Sequence, residues 1–205
     1  MAVFFNLNDK YKNTSIIYFD ASIKVSKTDT YDDFIIFRDE DYNVNSINLL
    51  KSSLININKD FSILNLIDLS EFVKKILMLN KNYKFNEKPN FALGKIIKRE
   101  VHPKSDKLFV LEVDFNTETR QIITNTTYTL ENKYFFWCLP GSITANGLEI
   151  TSGKVMNVDS LGMLCSSESL RLNEKEKGEF ENFLENATDN NLGKDITEIF
   201  DFWRG

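Results

Sequence analysis

A short basic run carries the side chains best suited to holding anions: His102-Pro103-Lys104-Ser105-Asp106-Lys107-Leu108. The ammonium groups of Lys104 and Lys107 and the hydroxyl of Ser105 can together bind phosphate groups. Asp106 fits better as a residue that forms the turn or fixes one of the lysines. An exposed β-turn with incidental lysines would have the same composition, so both interpretations stay open at this point.

A second segment, Ser160-Leu161-Gly162-Met163-Leu164-Cys165-Ser166, combines small, polar and soft side chains. Gly162 allows another backbone to approach closely, and the hydroxyls of Ser160 and Ser166 can donate hydrogen bonds to a phosphate or a sugar. Met163 offers a polarizable surface to a flat ring. The same residues also fit the start of a helix that is capped by a serine.

Catalytic and metal-binding groups are scarce. The chain has one histidine, His102, and two cysteines, Cys138 and Cys165. A lone histidine before a proline is more often packed or hydrogen-bonded than a base or a ligand, and cysteines this far apart suggest neither a disulfide framework nor a metal site. No glycine-rich loop is present to assemble an oxyanion or phosphate site. We therefore expect a non-enzymatic protein with buried free thiols and no cofactor or metal.

Short strands with alternating polarity surround both segments. We expect five of them, at residues 91–97, 109–115, 120–124, 134–139 and 154–158, with Gly94 at a bend or bulge of the first. This count and the turn signals between the strands are typical of the five-stranded OB-fold barrel. In such a barrel the two segments would lie close together at the ends of strands.

Residues 1–88 predict a separate, small α+β domain, to which we assign no role. Short β-like runs at 3–5, 15–19, 34–37 and 43–50 precede one amphipathic helix, for which Asp68 is the expected cap. That helix should bury one apolar face, made by Leu69, Phe72, Val73, Ile76 and Leu77. A polar stretch at 80–90 sets the boundary near residue 88, so residues 89–205 form the second domain with an acidic C-terminal extension. Aromatic residues in that extension should pack back on a domain.

Composition limits the remaining classes. The chain has 205 residues, of which 42% are hydrophobic, and this is enough for a sizeable core. No apolar run is long enough for a membrane span and the N-terminus does not resemble a signal peptide, so we expect a cytoplasmic protein without a membrane partner. The net charge of −5 comes from the residues after 172, because the earlier parts are balanced. Any site for a polyanion must therefore be a local patch.

The order of the motifs resembles the tRNA-binding OB-fold domain of stand-alone tRNA-binding proteins and of some aminoacyl-tRNA synthetases. The resemblance spans residues 91–172 and follows five motifs in order. They are Gly94-Lys95-Ile96, the His-Pro-x-x-Asp-Lys-Leu run ending at Leu108, Gln121-Ile122-Ile123, Leu139-Pro140-Gly141 and residues 154–170. With its leader of about 90 residues, the chain resembles the bacterial YtpR family. Such proteins are similar to the tRNA-binding module of the phenylalanyl-tRNA synthetase β subunit.

This resemblance implies a non-catalytic protein that binds tRNA by shape and backbone. It also implies an aminoacyl-tRNA synthetase and a second copy of the chain as candidate partners. The RNA-binding residues that we expect are Lys104, Ser105, Lys107, Asn125, Lys154, Ser160, Gly162, Met163 and Ser166. Asp106 and Cys165 match the family's motif as well.

The chain departs from the family pattern at three places. Asn125-Thr126-Thr127-Tyr128 replaces a Gly-Ala-Pro-Asn-like turn, Met156-Asn157 stands in place of Arg-Gly, and Ser169 replaces an acidic residue. The missing arginine removes a phosphate donor. These departures support an alternative function, in which a protein-interaction module keeps the OB barrel and has lost most of its RNA affinity.

Overall fold

The computed structural model describes residues 1–65 and 67–204 and divides them into two compact units. The first unit contains Met1–Lys88, together with Gly141–Ile143 and the C-terminal residues from Trp203. The second contains Pro89–Pro140 and Thr144–Phe202. The described residues are mostly β-structure in antiparallel sheets, with two α-helices.

The first unit is built on a six-stranded sheet in the order β3-β4-β5-β2-β1-β6. Its strands are β1 (Ala2–Asn6), β2 (Ser15–Tyr18), β3 (Lys27–Thr30), β4 (Phe34–Arg38), β5 (Val44–Leu49) and β6 (Phe61–Leu64). Alternate residues of these strands point into one core, where Ile17, Ile36 and Ile47 are fully buried. Each of the four predicted β-runs is a strand, while β3 and β6 were not predicted.

Helix α1 (Ser70–Leu79) covers this sheet with the predicted apolar face, because Phe72 and Ile76 are buried. The expectation that Asp68 caps the helix is wrong. The residue at the cap is Leu69, which makes no side-chain capping bond. The Asp68 carboxylate instead accepts a hydrogen bond from the backbone N–H of Asn65 at 3.0 Å, within the turn that leads into the helix.

The second unit contains a five-stranded sheet in the order β13-β10-β7-β8-β9 and a separate two-stranded hairpin. The sheet strands are β7 (Phe91–His102), β8 (Ser105–Asp114), β9 (Thr119–Thr124), β10 (Tyr134–Cys138) and β13 (Met163–Leu164). The hairpin strands are β11 (Gly153–Val155) and β12 (Val158–Ser160). The alternation predicted for β8 is observed, since Leu111 and Val113 are fully buried in the core.

Gly94 lets core side chains pack closely against the backbone of β7. The bulge that was expected at Gly94 lies three residues later. The register of the β7–β8 pair shifts between Ile96 and Lys98. A Cβ atom on Gly94 would lie 2.5 Å from a methyl carbon of Val113 and 2.9 Å from the Trp137 ring. Only glycine leaves room for these two core side chains.

The strand expected at residues 154–158 is wrong. The chain reverses at Met156 and Asn157, both with left-handed backbone angles (φ of 48° and 70°), and forms the β11–β12 hairpin. Tight hairpins need such angles, and asparagine tolerates them better than most residues. The fifth strand of the sheet is β13, which lies in the segment from Ser160 to Ser166 and was not predicted as a strand.

The acidic extension packs on the second unit, as its aromatic residues predicted. Helix α2 (Glu174–Asn186) begins with a capping box between Asn173 and Glu176. Phe180 and Phe183 of this helix stack on Phe136 of β10, with ring centroids 5.6 and 6.0 Å apart. Within residues 1–65 and 67–204, no helix has the length and hydropathy needed to cross a membrane.

Candidate nucleic-acid interface

The basic run forms the tight turn between β7 and β8. His102 pairs with Ser105 across the two strands, and Pro103 and Lys104 close the turn. The side chains of Lys104 and Lys107 are exposed, and no carboxylate of the described residues lies within ion-pair distance of either. Ser105 stabilises the turn, because its hydroxyl accepts a hydrogen bond from the Lys107 backbone N–H at 3.3 Å. The turn therefore presents two unneutralised ammonium groups to solvent.

His102 is buried and joins this turn to the β11–β12 hairpin. Its Nδ1 accepts a hydrogen bond from the backbone N–H of Lys104 at 3.1 Å. The proton of the neutral ring must then be on Nε2, which donates to the Val155 carbonyl at 3.1 Å. The prediction of a hydrogen-bonded structural histidine is confirmed. One imidazole thus fixes two loops that lie more than fifty residues apart in the chain.

Lys154 lies next to the residue that His102 contacts, so the structure brings it into the neighbourhood of the basic turn. Its ammonium is 3.7 Å from a carboxylate oxygen of Asp159 across the hairpin. Both side chains are about two-thirds exposed, at 64% and 65%. An exposed ion pair of this kind contributes little free energy, so a phosphate can compete for the lysine.

Ser160 and Gly162 attach the second segment to the edge of β9. The Ser160 hydroxyl accepts from the Ile123 backbone N–H at 3.1 Å and donates to the Gly162 carbonyl at 3.2 Å. Gly162 has a φ of 147°, and a Cβ there would lie 2.9 Å from the Cys138 carbonyl oxygen. Both residues are thus engaged by the protein itself, and Ser160 is buried.

The other members of the second segment are half-buried or buried. Met163 pairs with Cys138 at the edge of the sheet and is half-buried. Ser166 and Ser169 exchange hydrogen bonds within a turn, so the alternative that a helix starts here does not hold. Burial raises the pKa of the Cys165 thiol well above its ordinary value, which keeps it protonated and unreactive.

Asn125 follows β9 directly and is exposed, so its amide can reach a ligand. Four of the expected site residues therefore present polar groups to solvent: Lys104, Lys107, Asn125 and Lys154. Ser105, Met163 and Ser166 are half-buried, and Ser160 is buried.

Several other cations of the second unit are paired with nearby carboxylates. The Lys98 ammonium lies 3.1 Å from a carboxylate oxygen of Glu100, and this negative charge raises the pKa of Lys98. Lys95 and Asp189 form an ion pair at 3.0 Å, and the pKa of Lys95 is raised in the same way. The β7–β8 turn differs from these sites because its lysines keep their positive field.

Arg99, on β7, was not singled out by the sequence analysis. Its guanidinium carbon lies 3.4 Å from the centre of the Phe109 ring on β8. The sequence contains a weak signal for this contact, because the alternation of β7 and β8 puts both side chains on one face once the strands pair. The first strand of the second domain was predicted to end at residue 97, so the sequence did not predict that Arg99 and Phe109 are on paired strands.

Residues 91–193 match the protein family described as "Putative tRNA binding domain". Over 115 residues, 56% of this chain, the sequence is 35% identical to the phenylalanine–tRNA ligase beta subunit of Clostridium acetobutylicum, of which 14% is covered. Over 91 residues, 44% of this chain, it is 37% identical to the same subunit of Thermotoga maritima, of which 12% is covered. The chain thus spans only a small part of the length of these relatives.

Among solved structures, a MetRS-related protein from Pyrococcus horikoshii is 28% identical to this chain, with a TM-score of 0.29. The aligned region covers 37% of this chain and 65% of that one.

Proposed function

The chain belongs to the family of this tRNA-binding domain, and from that premise we propose that it is a non-catalytic tRNA-binding protein. One structural observation carries the proposal: the His102 imidazole joins the turn of Lys104 and Lys107 to the hairpin of Lys154 inside the matched residues. Three lysines held by two linked loops can contact successive phosphates of a folded RNA. The family match indicates the class of ligand, and the two linked loops provide the lysines that would bind it.

We propose that the second unit is an OB-fold barrel that recognises tRNA by shape and backbone. The sheet order β13-β10-β7-β8-β9 supports this architecture. So does the hydrogen bond of 2.8 Å from the Leu161 N–H to the Gln121 carbonyl, which holds the segment before β13 against β9, the other end of the sheet. In OB folds, the loop between the first two strands borders the ligand face.

The site residues divide into three roles in this proposal. Lys104, Lys107 and Lys154 contact phosphates, while Ser105, Asn125, Met163 and Ser166 supply polar or soft contacts at the edge of the site. Ser160 and Gly162 act indirectly by holding the second segment in place.

We further propose that the chain is YtpR-like, with a domain boundary near residue 88, and that it acts in the cytoplasm. The division of the structure at Lys88 supports the boundary. An aminoacyl-tRNA synthetase and a second copy of the chain are the proposed protein partners, and similarity to part of a synthetase subunit supports the first.

The second candidate function is a protein-interaction module. It is favoured by the ion pairs of Lys95, Lys98 and Arg120 with acidic neighbours, which make these three cations less available to RNA. In this function the barrel would bind a protein surface and the lysines of the turn would be incidental.

Titration of labelled, unfractionated tRNA with the full chain tests the main proposal. Wild type should bind, and Lys107→Ala should weaken binding about threefold to tenfold, because it removes one phosphate contact from an otherwise small set. Lys175→Ala is the matched control, since Lys175 is an exposed lysine of helix α2 that pairs with Glu179. It should bind like wild type.

Absence of binding even at low salt would refute the tRNA proposal and favour the protein-interaction module. Equally tight binding of random single-stranded RNA would refute recognition of folded tRNA. If Lys104→Ala and Lys107→Ala both bind like wild type while tRNA binding persists, the site lies elsewhere on the chain.

A further inference from the structure

Arg99 and Phe109 form a flat cationic surface beside the basic turn. The guanidinium carbon is 3.4 Å from the ring centre, a distance at which the two planar groups are in full van der Waals contact. Both residues are half-buried, so each keeps part of its surface in solvent. Strand pairing fixes the arrangement, because Arg99 is opposite Leu111 and Phe109 is opposite Val101.

Among the five arginines of the described residues, Arg99 is the one whose guanidinium has no hydrogen-bond or ion-pair partner there. The other four arginines each have an acceptor: Asp29 for Arg38, Glu118 for Arg120, the Ala145 carbonyl for Arg171 and Asp68 for Arg204. The Nε atom of Arg99 is buried and makes no hydrogen bond to these residues. The Glu131 carboxylate accepts a hydrogen bond of 2.9 Å from the backbone N–H of Arg99, and not from its guanidinium. A buried Nε–H group without an acceptor is unusual in a folded protein.

The side chains that share a face with this arginine on the paired strands are apolar. Val101, two residues along β7, is 60% exposed, and Phe109, opposite it on β8, is half-buried. Apolar surface around a cation disfavours an isolated phosphate and suits the face of a nucleobase, which is flat and weakly hydrated. The basic turn starts three residues after Arg99, a strand length of about 10 Å.

We propose that the Arg99 guanidinium, held flat by Phe109, stacks on an unpaired base of the bound RNA. The inference rests on the proposed tRNA binding and deepens it, because it requires an unstacked base close to the backbone that the lysines hold. Arginine planes and aromatic rings are the usual stacking partners of splayed RNA bases. Recognition then combines backbone contacts at Lys104 and Lys107 with one base contact at Arg99.

The test compares Arg99→Lys with Arg120→Lys in the full chain. The first substitution keeps the charge and removes the plane, so tRNA binding should weaken about fivefold to a hundredfold, with no change in its salt dependence. Arg120 is a matched control, because it lies on β9 of the same sheet, near the Phe115 ring, but is paired with Glu118. Arg120→Lys should bind tRNA like wild type.

A competition experiment separates stacking from a structural role. The competitors are a fully paired RNA duplex and the same duplex with a single bulged adenosine. Wild type should prefer the bulged duplex, and Arg99→Lys should lose the preference while its thermal unfolding stays close to that of wild type. Equal competition by the two duplexes, or wild-type affinity of Arg99→Lys, overturns the inference and leaves tRNA binding standing. If wild type binds no tRNA, the proposed function and this inference both fail.

Discussion

At the scale of single residues, Asp195 shows how a buried charge positions the strand that carries the site. Its carboxylate is fully buried and accepts hydrogen bonds from the backbone N–H groups of Asn90 and Phe91, at 3.2 and 3.4 Å, where β7 begins. The other oxygen accepts from the N–H and hydroxyl of Thr197, both at 2.9 Å. Burial raises the pKa of Asp195 above its usual value despite these donors.

Asp195→Asn should lower the free energy of unfolding by about 1–3 kcal/mol, because one set of donors then faces an amide NH₂. A raised pKa means that the native state holds more protons than the unfolded state above about pH 4, so wild-type stability declines as pH rises through the folded pKa. The asparagine cannot titrate. Urea unfolding across pH should therefore find the largest difference between wild type and variant at low pH. A difference that grows with pH would mean that the donors keep the carboxylate ionised.

At the scale of elements, the His102 imidazole makes the β7–β8 turn and the β11–β12 hairpin one structural unit. His102→Ala removes its hydrogen bonds to Lys104 and to the Val155 carbonyl. The loss should cost about 1–3 kcal/mol and should loosen the short hairpin first. Hydrogen exchange should be faster at β11 and β12, with the amides of β1 and β6 as an internal reference. Unchanged exchange in the hairpin would show that other contacts hold it.

The sequence predicts those elements whose own side chains carry the signal. The apolar alternation of β8 and the spacing on α1 are confirmed because burial of one face is a local property of each element. β3 (Lys27–Thr30) has no apolar residue and is a strand only because β4 pairs with it. β7 likewise continues through polar residues 98–100, which depend on pairing with β8. Such long-range pairing is not visible in a local pattern.

The same distinction applies to the candidate site. The basic turn was predicted because two lysines and a proline between strands are a local signal. The β11–β12 hairpin was not, since its reversal at Met156 and Asn157 rests on left-handed backbone angles that methionine rarely adopts. The contact of Arg99 with Phe109 required the register of two strands. The start of α2, by contrast, was available to the sequence analysis, because Asn173 and Glu176 have the spacing of a capping box.

At the scale of the whole molecule, the net charge is negative while the turn that carries Lys104 and Lys107 is positive. The chain carries −5 overall, and its excess of acidic residues lies after residue 172. Long-range attraction to a polyanion is therefore weak, and binding depends on local phosphate contacts such as those of Lys104, Lys107 and Lys154. This arrangement favours a partner that offers several correctly spaced phosphates over one that offers only a high charge density.

The salt dependence of tRNA binding should reflect this small number of contacts. Neutralising three phosphates with Lys104, Lys107 and Lys154 gives a slope of log K against log salt of roughly −2 to −3, so affinity should fall roughly 20- to 60-fold between 50 and 200 mM salt. Lys104→Ala and Lys107→Ala should each reduce the slope by about one. Lys154→Ala should reduce it less, because Asp159 already shares that charge. A wild-type slope steeper than about −6 would require a far larger basic surface than these lysines provide, and would place the interface elsewhere.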